Sequence, residues 1–135
     1  MDETWYSKIE SQVISQVEYM LKSRVDAPYP NLNITSKNQE TKPASLPTMY
    51  IHELEPVERG QDLDNVAINA VLHTMEVQVW TNVSQNECKA ILTAAITELK
   101  RLRYNIIMLP TVKTDDGLAW GAFRARRMIG ANDTL

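Results

Sequence analysis

The chain is poor in the residues on which most chemistry depends. Of its 135 residues, one is cysteine, two are histidine and four are glycine. A lone cysteine forms no internal disulfide, and Cys88 stands on an apolar helical stripe, which marks it as a core residue. Four glycines leave little material for a loop whose backbone amides close around a phosphate. The sequence holds no Gly-x-Gly-x-x-Gly, no phosphate loop, no nucleophile elbow and no zinc spacing. His52 and His73 stand on different strand-like runs, without a cysteine or carboxylate cluster at ligand spacing, and read as ordinary strand residues. No acid-base pair is evident, so no catalytic residue, metal or cofactor is expected. No window approaches the roughly 18 apolar residues of a membrane span. The acidic start, Met1-Asp2-Glu3-Thr4-Trp5, lacks the apolar core of a signal peptide, so the expected setting is a cytoplasm or an assembly built there. A net charge of −3 gives no general attraction to nucleic acid or acidic membranes.

What is present is patterning. Hydrophobic residues make up 44% and charged residues 23%, ordinary values for a globular chain of single-domain length spanning residues 1–135. Met75-Glu76-Val77-Gln78-Val79 alternates apolar with polar, the signature of a strand with one buried face, and Trp80 joins the polar phase. Ser84-Gln85-Asn86-Glu87 fits a capping box. The period then changes: Cys88, Ile91, Leu92, Ala95, Ile96, Leu99 and Leu102 recur at steps of three and four, one stripe of a helix that must cover a sheet. Ile106-Ile107-Met108-Leu109 begins the next strand. Asp116-Gly117 is a hairpin cue, and residues 118–129 form the return strand. There Arg124 and Arg126 share a phase with Trp120, while Arg127 falls in the phase of Phe123 and Ala125.

Upstream, Trp5, Ile9, Val13, Val17, Met20 and Leu21 predict a helix over residues 4–25, ended by Asp26-Ala27-Pro28-Tyr29-Pro30. Residues 31–35 alternate as a short edge strand, and 47–54 as a second strand. Residues 55–69 read as a long hairpin loop carrying Glu55, Glu58, Asp62 and Asp64 against Arg59 alone. Loops of that length are often functional, and these acids match no calcium loop. Residues 130–135 read as a polar tail. The predicted order is α-β-β-β-α-β-β: an α+β fold with two helices on a mainly antiparallel sheet of four to five strands. Arg124, Arg126 and Arg127 beside Trp120 and Phe123 raise single-strand binding, but the cluster is small and the chain acidic. Arginines paired with carboxylates, in the fold or across an interface, are the stronger reading.

From Leu46 onward the chain resembles the tail-terminator proteins of long-tailed bacteriophages, also called tail completion or tail-to-head joining proteins. The likeness is carried by Leu46-Pro47-Thr48-Met49-Tyr50-Ile51-His52-Glu53-Leu54 and by Met75-Glu76-Val77-Gln78-Val79-Trp80-Thr81-Asn82. It continues through Lys89-Ala90-Ile91, Leu102-Arg103-Tyr104-Asn105-Ile106-Ile107-Met108-Leu109-Pro110 and the arginine-rich last strand. The resemblance implies a homo-oligomeric ring, a hexamer, at the head-proximal end of the tail tube. That ring ends tube polymerisation and joins the tail to the head-tail connector or stopper protein. Genomic DNA passes through its lumen without sequence-specific binding, and no membrane is involved. The protein would then be a non-enzymatic virion component of the tail or neck.

A ring needs one face of each subunit to meet a different face of the next. Charge complementarity nominates Arg124, Arg126 and Arg127 on one side and Glu58, Asp62 and Asp64 on the other. Alternatively, Glu55, Glu58, Asp62 and Asp64 line the lumen, where negative charge keeps DNA sliding. The rival readings are a head-completion or stopper protein of the neck, and a non-viral cytosolic ligand- or nucleic-acid-binding α+β module.

Overall fold

A computed structural model describes residues 5–36, 46–59, 70–131 and 133. The first helical segment opens with a 3₁₀ turn at Trp5–Lys8, continues as α1 (Ile9–Glu18) and closes with a π-helical turn at Tyr19–Ser23. Its core residues Ile9, Val13, Val17 and Leu21 recur every four positions. A 3.6-residue helix carries such a row gradually off the core face. The wider final turn, closed by the Arg24 amide on the Tyr19 carbonyl at 3.0 Å, keeps Leu21 on it.

The strands are β1 (Asn33–Thr35), β2 (Thr48–Glu53), β3 (Val57–Arg59), β4 (Ala70–Thr81), β5 (Asn105–Asp115) and β6 (Leu118–Gly130). They form one six-stranded sheet in the order β1-β2-β4-β6-β5, with β3 also paired to β4. The fold is α+β, as the patterning predicted, but two details differ. The sheet is mixed, because β1 runs parallel to β2 in the register Asn33↔Thr48. The connection between them is long enough to bring the chain back to the starting side, so no hairpin is forced. The predicted 55–69 loop is also partly strand: Val57–Arg59 pairs with Leu72–Ala70, so the element order gains a strand. Glu58 belongs to that strand by its backbone; Asp62 and Asp64 lie outside the described residues.

Helix α2 (Gln85–Arg101) starts where the capping residues place it, with Ser84 Oγ accepting from the Glu87 amide at 3.0 Å. Ser84→Ala is expected to lower stability by about 1 kcal/mol, read as a lower urea midpoint at unchanged slope. Along β4 every second residue is buried, and these odd-numbered residues face the helices with Ala119, Phe123, Ala125 and Ile129 of β6. Cys88 is fully buried, donates to the Val79 carbonyl at 3.7 Å, and burial pushes its thiol up to about 11, so it stays protonated. Asp116 and Gly117 both have positive φ, 51° and 81°, which makes the β5–β6 turn the primed type that suits twisted strands. Pro110 does not stop β5; the strand runs through it with irregular register between Ile106 and Thr111. An edge strand tolerates proline because its outer amide has no ladder partner to lose.

Candidate functional site

The even-numbered residues of β4 and β6 form a second sheet face, and no helix covers it among the described residues. Side chains there satisfy one another across strands. Trp80 stacks on Trp120 with ring centroids 5.3 Å apart, and Tyr50 on His52 at 4.3 Å. Glu76 sits between them in charge terms: its Oε2 accepts from Arg124 Nε at 2.8 Å, and its Oε1 lies 3.5 Å from His52 Nε2. Trp80 Nε1 and His52 Nδ1 are shielded from solvent without a hydrogen-bond partner. Shielded polar atoms are normally satisfied, so a face that leaves two unmade is incomplete as a free surface.

The helix-facing side holds a polar network inside the core. His73 is fully buried. Its Nε2 lies 2.6 Å from Glu53 Oε2 and its Nδ1 2.7 Å from the Tyr104 hydroxyl. A carboxylate only accepts, so Nε2 carries the proton and Nδ1 accepts from the tyrosine. Burial raises the Tyr104 hydroxyl well above its ordinary value, which keeps it a donor. Burial likewise lowers the His73 imidazole, against the hydrogen bond and charge of Glu53 and the charge of Glu10. The Glu53 amide donates to Glu10 Oε2 at 2.7 Å, tying α1 to the end of β2. Arg127, opposite His73 in register, donates from Nη1 to the Leu102 carbonyl at 2.9 Å, at the C-terminal end of α2 where positive charge is favoured. The chemistry of a fully buried imidazole bonded at both nitrogens is to hold elements together.

The three arginines of the last strand therefore do not act as one patch. Arg124 is committed to Glu76, Arg126 is exposed on the open face, and Arg127 is buried on the other. This corrects the pairing of all three with a neighbour's acids: period-two alternation sends Arg127 inward. Phe123 is fully buried too, so of the two aromatics beside these arginines only Trp120 lies on the face of Arg124 and Arg126. Glu55 is exposed, as lining a lumen needs. His52 and His73 are strand residues, as read. The polar network was missed, although a signal existed: Glu53, His73 and Arg127 all fall in the apolar phase of their strands.

Among the described residues, the edge strand β5 carries the longest run of exposed apolar side chains. Ile107, Met108 and Leu109 are 45%, 43% and 74% exposed. Beside it, the end of α2 and the start of β5 flank a groove of about 720 Å³ with Ile96, Ile106 and Leu109 in its lining and Lys100 and Arg103 beside them. Arg103 occupies an unusual place. The Tyr104 amide bonds the Leu99 carbonyl and the Arg103 amide the Lys100 carbonyl, both at 2.9 Å, which closes α2 in a Schellman turn. The residue at its centre must be left-handed, and Arg103 has φ 69°. Glycine is the usual occupant, and a side chain there costs about 1 kcal/mol.

Compared with known proteins, the chain matches no family model and no curated sequence. Among the described residues no helix is long and apolar enough to cross a membrane, and no group of three metal-ligating side chains occurs.

Proposed function

We propose that the chain is a structural subunit of a homo-oligomeric ring, a tail terminator at the head-proximal end of a phage tail tube. In this reading the ring stops tube growth, joins the tail to the head-tail connector or stopper protein, and lets genomic DNA through its lumen. It is a hexamer, part of the virion, and carries out no catalysis. The observation that supports the reading best is the apolar edge of β5: three consecutive large apolar side chains, one of them 74% exposed, on an edge strand. Such an edge invites aggregation in a monomer and is useful where an identical neighbour covers it. The open sheet face, with Trp80 Nε1 and His52 Nδ1 unmatched, adds a second surface suited to company.

The test has two stages. Light scattering on the eluting protein is expected to give the mass of a closed ring. Particles assembled without the chain are then expected to show tails of uncontrolled length, detached from heads. A monomer that is absent from purified particles would overturn the proposal. A neck position nearer the capsid would instead leave free tails of normal length beside heads that leak DNA, the outcome for a head-completion or stopper protein. Salt-dependent nucleic-acid binding by a monomer would favour the cytosolic module.

A further inference from the structure

We infer that the two ends of α2 are complementary docking faces between copies of this chain. Lys100 and Arg103 at the C-terminal end of one copy seat on Asp115 and Asp116 beside the N-terminal end of the next. Closure of these contacts into a circle rests on the ring reading.

Charge is separated along one axis of the molecule. At the C-terminal end of α2, Lys100 and Arg103 lie in the groove with Ile96, Ile106 and Leu109. At the N-terminal end, a second hollow of about 480 Å³ lies between the start of α2 and the β5–β6 turn, with Val83, Leu118, Asp115 and Asp116 in its lining. Strand β5 joins the two ends: Asn105 begins it at the basic groove, and Asp115 ends it at the acidic hollow. All four charged residues are exposed. None of them is in an ion pair among the described residues, and neither is Lys113, two positions before Asp115. Arg101 and Arg124, by contrast, are held by Glu98 and Glu76 of their own chain.

The two ends cannot satisfy each other within one chain. A helix of 17 residues holds them about 25 Å apart. That exceeds the reach of a lysine or arginine side chain and the screening length of about 8 Å at physiological salt.

The apolar residues suit the same docking. Leu109 at the basic end is 74% exposed and Val83 at the acidic end is 68% exposed. Apposed ends cover both, while the charge pairs orient the contact. Arg103 adds a further sign: its left-handed backbone would close the turn without strain as glycine, and such strain persists where a side chain is used.

A two-fold pair would bring the same ends together twice by laying β5 along β5. Pro110 stands at the midpoint of that strand, where the register with β6 is irregular, and proline on an edge blunts strand pairing. The contact is therefore head to tail, and such contacts repeat until a circle closes.

Sedimentation velocity on the full chain tests this. Lys100→Glu with Arg103→Glu, and separately Asp115→Lys with Asp116→Asn, are each expected to weaken self-association by about tenfold or more. Asparagine is chosen at 116 because it tolerates the φ of 51° there. Mixing the two variants is expected to restore assemblies larger than a dimer, because every end then meets its opposite. Either variant associating like the unmodified chain overturns the inference, as does an unmodified chain that stays monomeric. So does a mixture that stays dissociated, or one restored only to pairs, which would make the contact two-fold. Arg103→Gly guards against a folding artefact: its melting temperature is expected to rise by about 2–5 °C, while association weakens by about threefold. A glycine variant that assembles like the unmodified chain also overturns it. The contact and the virion role fail separately. Restored assembly by a protein absent from purified particles keeps the contact and removes the tail; a virion ring untouched by the charge reversals does the opposite.

Discussion

Replacing His73 by alanine is expected to destabilise the fold by about 3 kcal/mol or more. The ring is fully buried and bonded at both nitrogens, at 2.6 Å to Glu53 and 2.7 Å to Tyr104. Its removal strands a carboxylate and a hydroxyl together and leaves a cavity between β2, β4 and the α2–β5 junction. Tyr104→Phe removes one bond only and is expected to cost about 1–2 kcal/mol. The two changes share a partner, so their combined loss should fall short of the sum. Urea unfolding of the two single variants and the double variant measures all three. A His73→Ala loss below about 1 kcal/mol would mean that the network is not satisfied in solution.

The same site gives stability a pH dependence of definite sign. Burial lowers the His73 imidazole from its ordinary 6.5, with the Glu53 bond and the charges of Glu53 and Glu10 opposing. The folded state thus binds the proton less readily than the unfolded state. Well above pH 6.5 the ring is neutral in both states and contributes no slope. As pH falls below 6.5 the unfolded chain gains the proton first, and stability declines. Unfolding midpoints between pH 8 and 5 should fall on the acid side, and less steeply in His73→Leu; equal slopes would remove His73 as the cause.

The second large effect belongs to Gly121. A Cβ there would lie 2.9 Å from the Thr111 carbonyl oxygen, 3.0 Å from Leu92 Cδ1 and 3.1 Å from Val112 Cγ2. The leucine tip could turn aside, but the carbonyl is backbone of β5, paired with β6 at that point in the register Thr111↔Ala122. Gly121→Ala therefore forces β5 or α2 outward, at an expected cost of about 1–3 kcal/mol. Gly117→Ala is the comparison. It meets no atom within 4 Å and suffers only from its φ of 81°, so its loss is conformational and is expected near 1 kcal/mol. A Gly121→Ala variant as stable as the parent would show that the irregular β5 yields easily.

Patterning alone carried much of the fold. The Ser84 cap, the α2 stripe, the Asp116-Gly117 turn and the alternation along β4 are local or periodic, and local physics does not wait for tertiary contacts. The parallel pairing of β1 and the short β3 could not be read that way. Three residues have no reliable period, and their direction depends on where a connection happens to return the chain. The π turn at Tyr19–Ser23 belongs with them, because it answers a mismatch between a four-residue spacing and the core it must meet.

The candidate site divides along the same line. Which phase of the last strand each arginine takes follows from period two, yet charge complementarity nominates Arg127 for an interface with the other two, and it is buried. What each arginine then does is a matter of neighbours distant in sequence: Glu76 for Arg124 and the Leu102 carbonyl for Arg127. His73, too, looked ordinary, since nothing near it in the chain announces Glu53 or Tyr104. Residue order by itself settled which side chains face inward, because alternation and helical spacing are properties of a single segment. Only the folded chain decided which inward polar groups meet, and that Arg103 stands left-handed at the rim of a groove, because those depend on distances between segments that no local pattern encodes.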